Sequence, residues 1–282
     1  MARRAGRPLP GGYHLAEDDG ALAPAAADFL REQGPLGFAA GSLLEWTCGR
    51  DRGAGSAAPT VAGILGPDGA LHAVVIRRGG RAIAAAPLVD AWPAVLAVVR
   101  AWRPDLDRLG LSLPLHDHLA AAEPGVLAGS FGYTVWLTRL GILRTPARPL
   151  PPARRVRAAD AAAVQAIYRD VAWMRDDDAD SWRRRLRRQP AWVAELDGRA
   201  VAVARWTHAF AGALEVGGVA CAPSARRRGA ATAAIMAAIR AARRAGRTVL
   251  LSYGDPELGP LYQGLGFEHV GRHRFLEWAT PT

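Results

Sequence analysis

The chain has no lysine and no asparagine, so every basic side chain other than its seven histidines is arginine. With its abundant Ala, Gly and Pro this matches the bias of GC-rich coding sequence, and the arginine content alone therefore assigns no partner. Cysteine is nearly absent as well. Cys48 and Cys221 lie far apart and form no CxxC pair, which excludes a disulfide framework and a zinc site and predicts a metal-free protein of a reducing, cytoplasmic compartment. No apolar run reaches the length of a membrane span. The basic start MARRAGRPLPGGY runs into Pro and Gly where a secretory signal needs an apolar stretch.

What is present is enough for a sizeable core: 282 residues, 50% of them hydrophobic, suffice for one large domain or two ordinary ones. The net charge of +10 points to a polyanionic partner such as nucleic acid, an anionic membrane or a phosphorylated cofactor. The clearest break is RTPARPLPPARR, Arg144 to Arg155, whose four prolines exclude helix and central strand and favour an extended linker. It divides the chain into an N-terminal α/β domain, 1–146, and a second domain, 147–282.

In the second domain, Val164, Ile167, Tyr168 and Val171 recur at helical spacing behind Asp160 as N-cap. AWVAELDGRAVAVARWTH is two apolar runs about an Asp-Gly turn, a strong hairpin signal. GALEVGGVACAP is a third strand, stopped by Pro223. A helix follows from about Gly229, carrying Ile235, Ile239 and Ala242 on one side and ended by Gly246. RTVLLSYG is a buried strand, GPLYQGLGF a short helix ended by glycine, and EHVGRHRFLEW a last strand. These elements predict an α/β (α+β) domain with a mixed sheet. The first domain offers a blurred copy: PTVAGILGPDGALHAVVIRRGG is again two runs about Asp-Gly, RAIAAAPLVDAWPAVLAVVRAW is strand then helix, and FGYTVWLTRL stands where the last strand would be. A diverged internal repeat and a coincidence of common elements both account for this.

Arg226, Arg227 and Arg228 immediately precede a helix whose first turn exposes unpaired amides and the positive end of the dipole, where each cation costs a few tenths to about 1 kcal/mol. An anion held at that point would neutralise them, and a helix N-terminus after a strand is a ready phosphate site. Gly229 lets backbone approach such an anion, and Ala230 and Ala231 keep the next turn narrow. Arg240, Arg243, Arg244 and Arg247 lie at the other end, where cations stabilise the helix and need no partner. A solvated basic loop and a nucleic-acid contact are the competing readings. Nucleic-acid modules more often interleave aromatics or align arginines along one helical face.

The run GGVACAPSARRRGAATAAIMAAIRAARRAGRTVLLSYGDPELGPLYQGLGF resembles the acyl-CoA-dependent N-acetyltransferases of the GNAT superfamily, over roughly Arg155 to Trp278. Arg226, Gly229 and Ala231 match the family's Q/R-x-x-G-x-G/A loop, and Leu261 to Phe267 its LYxxLGF. The resemblance implies a mostly antiparallel central sheet flanked by helices and acetyl-CoA as cofactor. Backbone of Val219, Ala220 and Cys221 would pair with pantetheine, and the loop Arg226, Arg227, Arg228, Gly229, Ala230, Ala231 and Thr232 would hold the pyrophosphate. It makes Tyr262 the general acid for the departing thiolate, against a plain packing role. Glu215 stands where some members carry a catalytic glutamate, against an ordinary polar residue on an alternating strand. Glu195, Asp255 and His208 are reserves, and Asp255 stands near where many members have an asparagine that contacts cofactor, a contact its acidic side chain does not favour.

The implied reaction is direct acetyl transfer to a primary amine of a small molecule or peptide, by a monomer or homodimer, with neither nucleic acid nor membrane as partner. In the family MRDDDADSWRRRLRRQP would wall the acceptor site. There Asp176, Asp177, Asp178 and Asp180 either attract a cationic amine or form a solvated loop in which Asp180 caps the next helix. The first domain has LVDAWPAV where the second has SARRRGAA, so one cofactor per chain is expected, with residues 1–146 walling the cleft or supporting packing. The alternatives are an acyl-CoA-binding sensor without turnover and a basic nucleic-acid-binding protein.

Overall fold

A computed structural model describes residues 7–17, 22–48, 60–169, 171 and 178–278. Two short strands, β1 (Arg7–Pro8) and β2 (His14–Glu17), are followed by helices α1 (Leu22–Glu32) and α2 (Phe38–Cys48). Next come strands β3 (Thr60–Leu65), β4 (Leu71–Arg78) and β5 (Arg81–Ala85), helix α3 (Trp92–Trp102), strand β6 (Arg108–Ser112), helix α4 (Leu113–Ala122) and strand β7 (Ser130–Leu140). The second half runs β8 (Ala153–Arg155), α5 (Ala161–Tyr168), α6 (Ala179–Arg188), β9 (Ala191–Leu196), β10 (Arg199–Phe210) and β11 (Ala213–Cys221). It ends with α7 (Ala230–Arg244), β12 (Thr248–Tyr253), α8 (Gly259–Gly264) and β13 (Phe267–Trp278).

From β2 to β7 and from β8 to β13 the order of strands and helices is the same, so the internal repeat is real at the level of architecture. In the first repeat β2 to β5 pair antiparallel in succession and β5 pairs parallel with β6. In the second β8 to β11 pair antiparallel and β11 pairs parallel with β12. The parallel step recurs at the same place because α3 or α7 carries the chain back across the sheet. The result is an α+β fold with a mixed, mostly antiparallel sheet.

The chain divides into two compact units, one of residues 1–137, 253–256 and 269–282, the other of 138–252 and 257–268. The first unit thus takes in the C-terminal strand: His273 to Glu277 of β13 pair antiparallel with Ser112 to Arg108 of β6. Leu276 and Trp278 fill a core with Leu109, Leu111, Val95 and Val99. The second unit takes in the end of β7, where the Thr138 hydroxyl donates to the Leu251 carbonyl at 2.8 Å.

In the second unit both Asp-Gly turn residues of the β9–β10 hairpin, Asp197 and Gly198, have left-handed backbone (φ 51° and 73°), the conformation that suits the twist of the strands. Helix α7 buries Ala234, Ile235, Met236, Ala238, Ile239 and Ala242 as its periodicity predicts. Each buried isoleucine contributes about 1.5–3 kcal/mol. Two local expectations change. Asp160 stands before α5, but its carboxylate takes the Arg157 amide at 2.6 Å and the Arg154 guanidinium at 2.7 Å instead of capping the helix. The helix stops at Tyr168, leaving Val171 outside. The linker ends as an edge strand, β8, and its Leu150 lies beside Gly229. No helix of the described residues is long and apolar enough to cross a membrane.

Candidate active site

Strands β11 and β12 pair at only three positions, Ala213 with Thr248, Leu214 with Val249 and Glu215 with Leu250. Beyond Glu215 the edge of β11 that faced β12 has no strand partner among the described residues. The bend has a local cause. Between Val203↔Ala220 and Arg205↔Gly217 the ladder gains one residue on β11, a bulge that includes Gly218 at φ 56°. A Cβ there would lie 2.4 Å from Arg205 Nε and 3.0 Å from Tyr168 Oη, so only glycine fits.

Side chains from three other elements hold this bulge. Tyr168 of α5 donates its hydroxyl to the Gly218 carbonyl and stacks on Trp182 of α6, ring centroids 4.5 Å apart. Burial raises the Tyr168 pKa, which keeps the hydroxyl a donor. The buried Arg205 of β10 lies 5.5 Å from the Trp182 ring centroid and donates to Gln189 Oε1 at 2.6 Å. A buried charge costs several kcal/mol unless satisfied, and this packing places it beside aromatic faces and an amide acceptor.

Glu215 is buried at the point of divergence and accepts three hydrogen bonds. Thr207 Oγ1 donates to Oε2 at 2.5 Å, His208 Nδ1 lies 2.6 Å from the same oxygen, and Ser252 of β12 donates to Oε1. Burial alone would raise the carboxyl pKa. The hydrogen bond and charge of His208, with the two hydroxyls, override it and hold the pKa at about 2. For His208 burial works downward, but the hydrogen bond and charge of Glu215 leave its pKa raised. The side chain of His208 is 49% exposed and that of Glu215 11%.

The loop before α7 is shaped by two left-handed residues, Arg227 at φ 60° and Gly229 at φ 79°, the latter at the N-cap. Non-glycine backbone in that region costs about 1 kcal/mol or more. The first intrahelical bond is Ala233 N–H to Gly229 O at 2.9 Å. Of the amides before it, that of Ala231 meets the Cys221 sulfur, and the others belong to the first turn, whose amides have no intrahelical acceptor. At the corresponding place in the first repeat α3 begins with Pro93 in its first turn, and Trp92 Nε1 donates to Ala86 O at 3.0 Å.

Residues 160–267 match the profile of the Acetyltransferase (GNAT) family. The C-terminal half carries a GNAT acetyltransferase domain. Over the whole chain the fold is that of tandem GNAT proteins. A Drosophila protein aligns with a TM-score of 0.67 at 14% identity, covering 94% of this chain and 98% of its own. A GCN5-related N-acetyltransferase from Sphaerobacter thermophilus aligns at 0.62 and 18% identity, covering 95% and 96%. A tandem GNAT protein from the clavulanic acid biosynthesis pathway aligns at 0.57 and 14%, covering 96% and 100%. At these identities the likeness is one of fold. Among curated proteins nothing matches.

Within the GNAT domain Val219, Ala220 and Cys221 occupy the diverging end of β11, and Arg226 to Thr232 the loop before α7 and its first turn. Burial, the largest influence, raises the Cys221 pKa, which keeps its side chain a neutral thiol. Tyr262 is buried in α8, which follows β12, so α8 stands at the end of the strands toward which they open. Glu195 is committed elsewhere, to Arg154 at 2.8 Å. Asp255 is exposed in the turn after β12. Asp176 and Asp177 lie outside the described residues. The cap of α6 is Asp178, which accepts from Ser181 N at 2.5 Å, while Asp180 sits in the first turn paired with Arg183. Among the described residues no cluster suits a metal ion.

Sequence reasoning missed the grouping of Thr207 and Ser252 about Glu215. Their signal was slight: Ser252 is a polar residue inside an apolar strand, and Thr207 precedes a histidine where alternation should put one of them on the opposite face.

Proposed function

We propose that the GNAT domain transfers an acetyl group from acetyl-CoA directly to a primary amine of a small molecule or peptide. The observation that supports this best is the divergence of β11 from β12 directly after Glu215, in a domain whose α7 follows an arginine loop with left-handed backbone at Arg227 and Gly229. A strand edge with free backbone groups suits an amide-bearing arm such as pantetheine, here along Val219 to Cys221. The amides of Arg227 to Thr232, with the Arg226, Arg227 and Arg228 charges, suit a pyrophosphate. Gly229 leaves the approach open. Acetyl-CoA supplies the activated thioester, and the chain positions the carbonyl beside the amine.

Tyr262 donates the proton that the departing thiolate needs. Glu215 belongs to the side that removes a proton from the amine, which must be neutral to attack. Since the first repeat lacks the arginine loop, each chain takes one acetyl-CoA. The test is release of free thiol from acetyl-CoA across small-molecule amines, peptide N-termini and lysine peptides. Release with at least one class is expected. Tight acetyl-CoA binding without release for any amine would turn the reading to a sensor, and salt-sensitive DNA binding without CoA competition would turn it to nucleic acid.

A further inference from the structure

The pairing of His208 with Glu215 depends on a second irregularity of the β10–β11 ladder. Trp206 stands opposite Val216 and Ala209 opposite Leu214, so Thr207 and His208 together face the single residue Glu215. In a regular strand adjacent side chains point to opposite faces. The bulge removes that alternation, and both residues reach the same carboxylate oxygen, at 2.5 and 2.6 Å. Gly217 makes room, because a Cβ there would lie 2.9 Å from Thr207 Oγ1. Bulges that re-aim side chains are concentrated beside active sites.

From this arrangement, and resting on the acetyltransferase reading above, we infer that His208 is the base that takes the proton of the amine and that Glu215 is its positioning residue. With both oxygens of Glu215 engaged by Thr207, His208 and Ser252, the carboxylate has little capacity left for a substrate proton. A carboxylate at about 2 is also far too weak a base at neutral pH. His208 keeps its side chain half exposed. Its Nδ1–H donates to Glu215, which fixes the tautomer and leaves Nε2 as acceptor. The charges that act on the ring are Glu215, which favours the imidazolium, and Arg205, which opposes it. In the reaction the amine nitrogen forms its bond to the thioester carbonyl carbon as the carbon–sulfur bond breaks. Nε2 of His208 takes the proton from nitrogen, Tyr262 gives one to sulfur, and solvent restores both groups.

The two roles separate in pH profiles of kcat on the full-length protein. His208→Gln should lower kcat at neutral pH by about a hundredfold or more, leave the KM for acetyl-CoA unchanged, and let the deficit shrink as alkaline pH neutralises the amine. Glu215→Gln should keep a titrating limb in the profile but move it to lower pH, because the imidazolium loses its anion. Wild-type kcat and profile in His208→Gln would overturn the assignment, as would loss of the limb in Glu215→Gln with the limb intact in His208→Gln. If Glu215→Gln does not fold, the half-exposed His208→Gln decides alone. Turnover by the wild type with any amine keeps a failure here distinct from a failure of the acetyltransferase reading.

Discussion

Glu215 is the last residue of β11 to pair with β12, facing Leu250 across the parallel ladder. One strand position therefore carries both the last hydrogen-bonded step of the sheet and the buried carboxylate of the site. Three residues farther along, the bulge at Gly218 turns β11 away, so the opening and the carboxylate are set by the same stretch of backbone.

Gly218→Ala should destabilise the GNAT domain by about 1–3 kcal/mol, since it combines left-handed backbone with a clash at Arg205 and Tyr168. Urea denaturation checks the stability, and calorimetry with acetyl-CoA should show weaker binding. A variant as stable as wild type would mean that the bulge relaxes without strain.

Arg227 adopts φ 60° without the freedom of glycine. Replacing it by glycine should leave stability within about 1 kcal/mol of wild type, because relief of left-handed strain is offset by the greater freedom of glycine in the unfolded chain, while acetyl-CoA binding weakens several-fold through the lost charge. A nearly unchanged thermal midpoint with reduced affinity is the expected signature.

Tyr262→Phe should lower kcat by about ten- to a thousandfold with little change in acetyl-CoA affinity, because only the proton donor is removed. Stopped-flow thiol release with parallel calorimetry separates the two. Unchanged turnover would remove Tyr262 from the chemistry.

The Glu215–His208 pair should give stability a pH window. Glu215 has its pKa lowered from 4.5 to about 2, so its contribution is present above 4.5 and is lost as pH falls between those values. His208 is raised from 6.5, so its contribution is present below 6.5 and is lost as pH climbs through the folded value. Thermal midpoints of wild type and Glu215→Gln should differ most between 4.5 and 6.5 and converge toward pH 2.

Leu276, six residues from the end of the chain, should matter to the N-terminal unit. Leu276→Ala removes a buried side chain from the core around Leu109 and Leu111 and should cost about 2–4 kcal/mol. Hydrogen exchange should show the loss of protection in Arg108 to Ser112, the residues paired with β13.

The sequence by itself determined what depends on neighbours along the chain. Asp197-Gly198 and the apolar runs beside it set the β9–β10 hairpin, Ile235, Ile239 and Ala242 set the buried face of α7, and Arg226, Gly229 and Ala231 marked the loop before it. Turn chemistry and periodicity are local and read directly. Tertiary structure decided the rest. That β13 completes the N-terminal unit depends on pairing between residues more than 150 positions apart. Asp160 left the helix end for Arg154 because an ion pair across β8 and α5 competes with a cap. His208 faces Glu215 only because a bulge shifts register by one residue, which reverses the face on which a side chain lies. Such a shift arises from how two strands fit each other, and neither strand carries it alone.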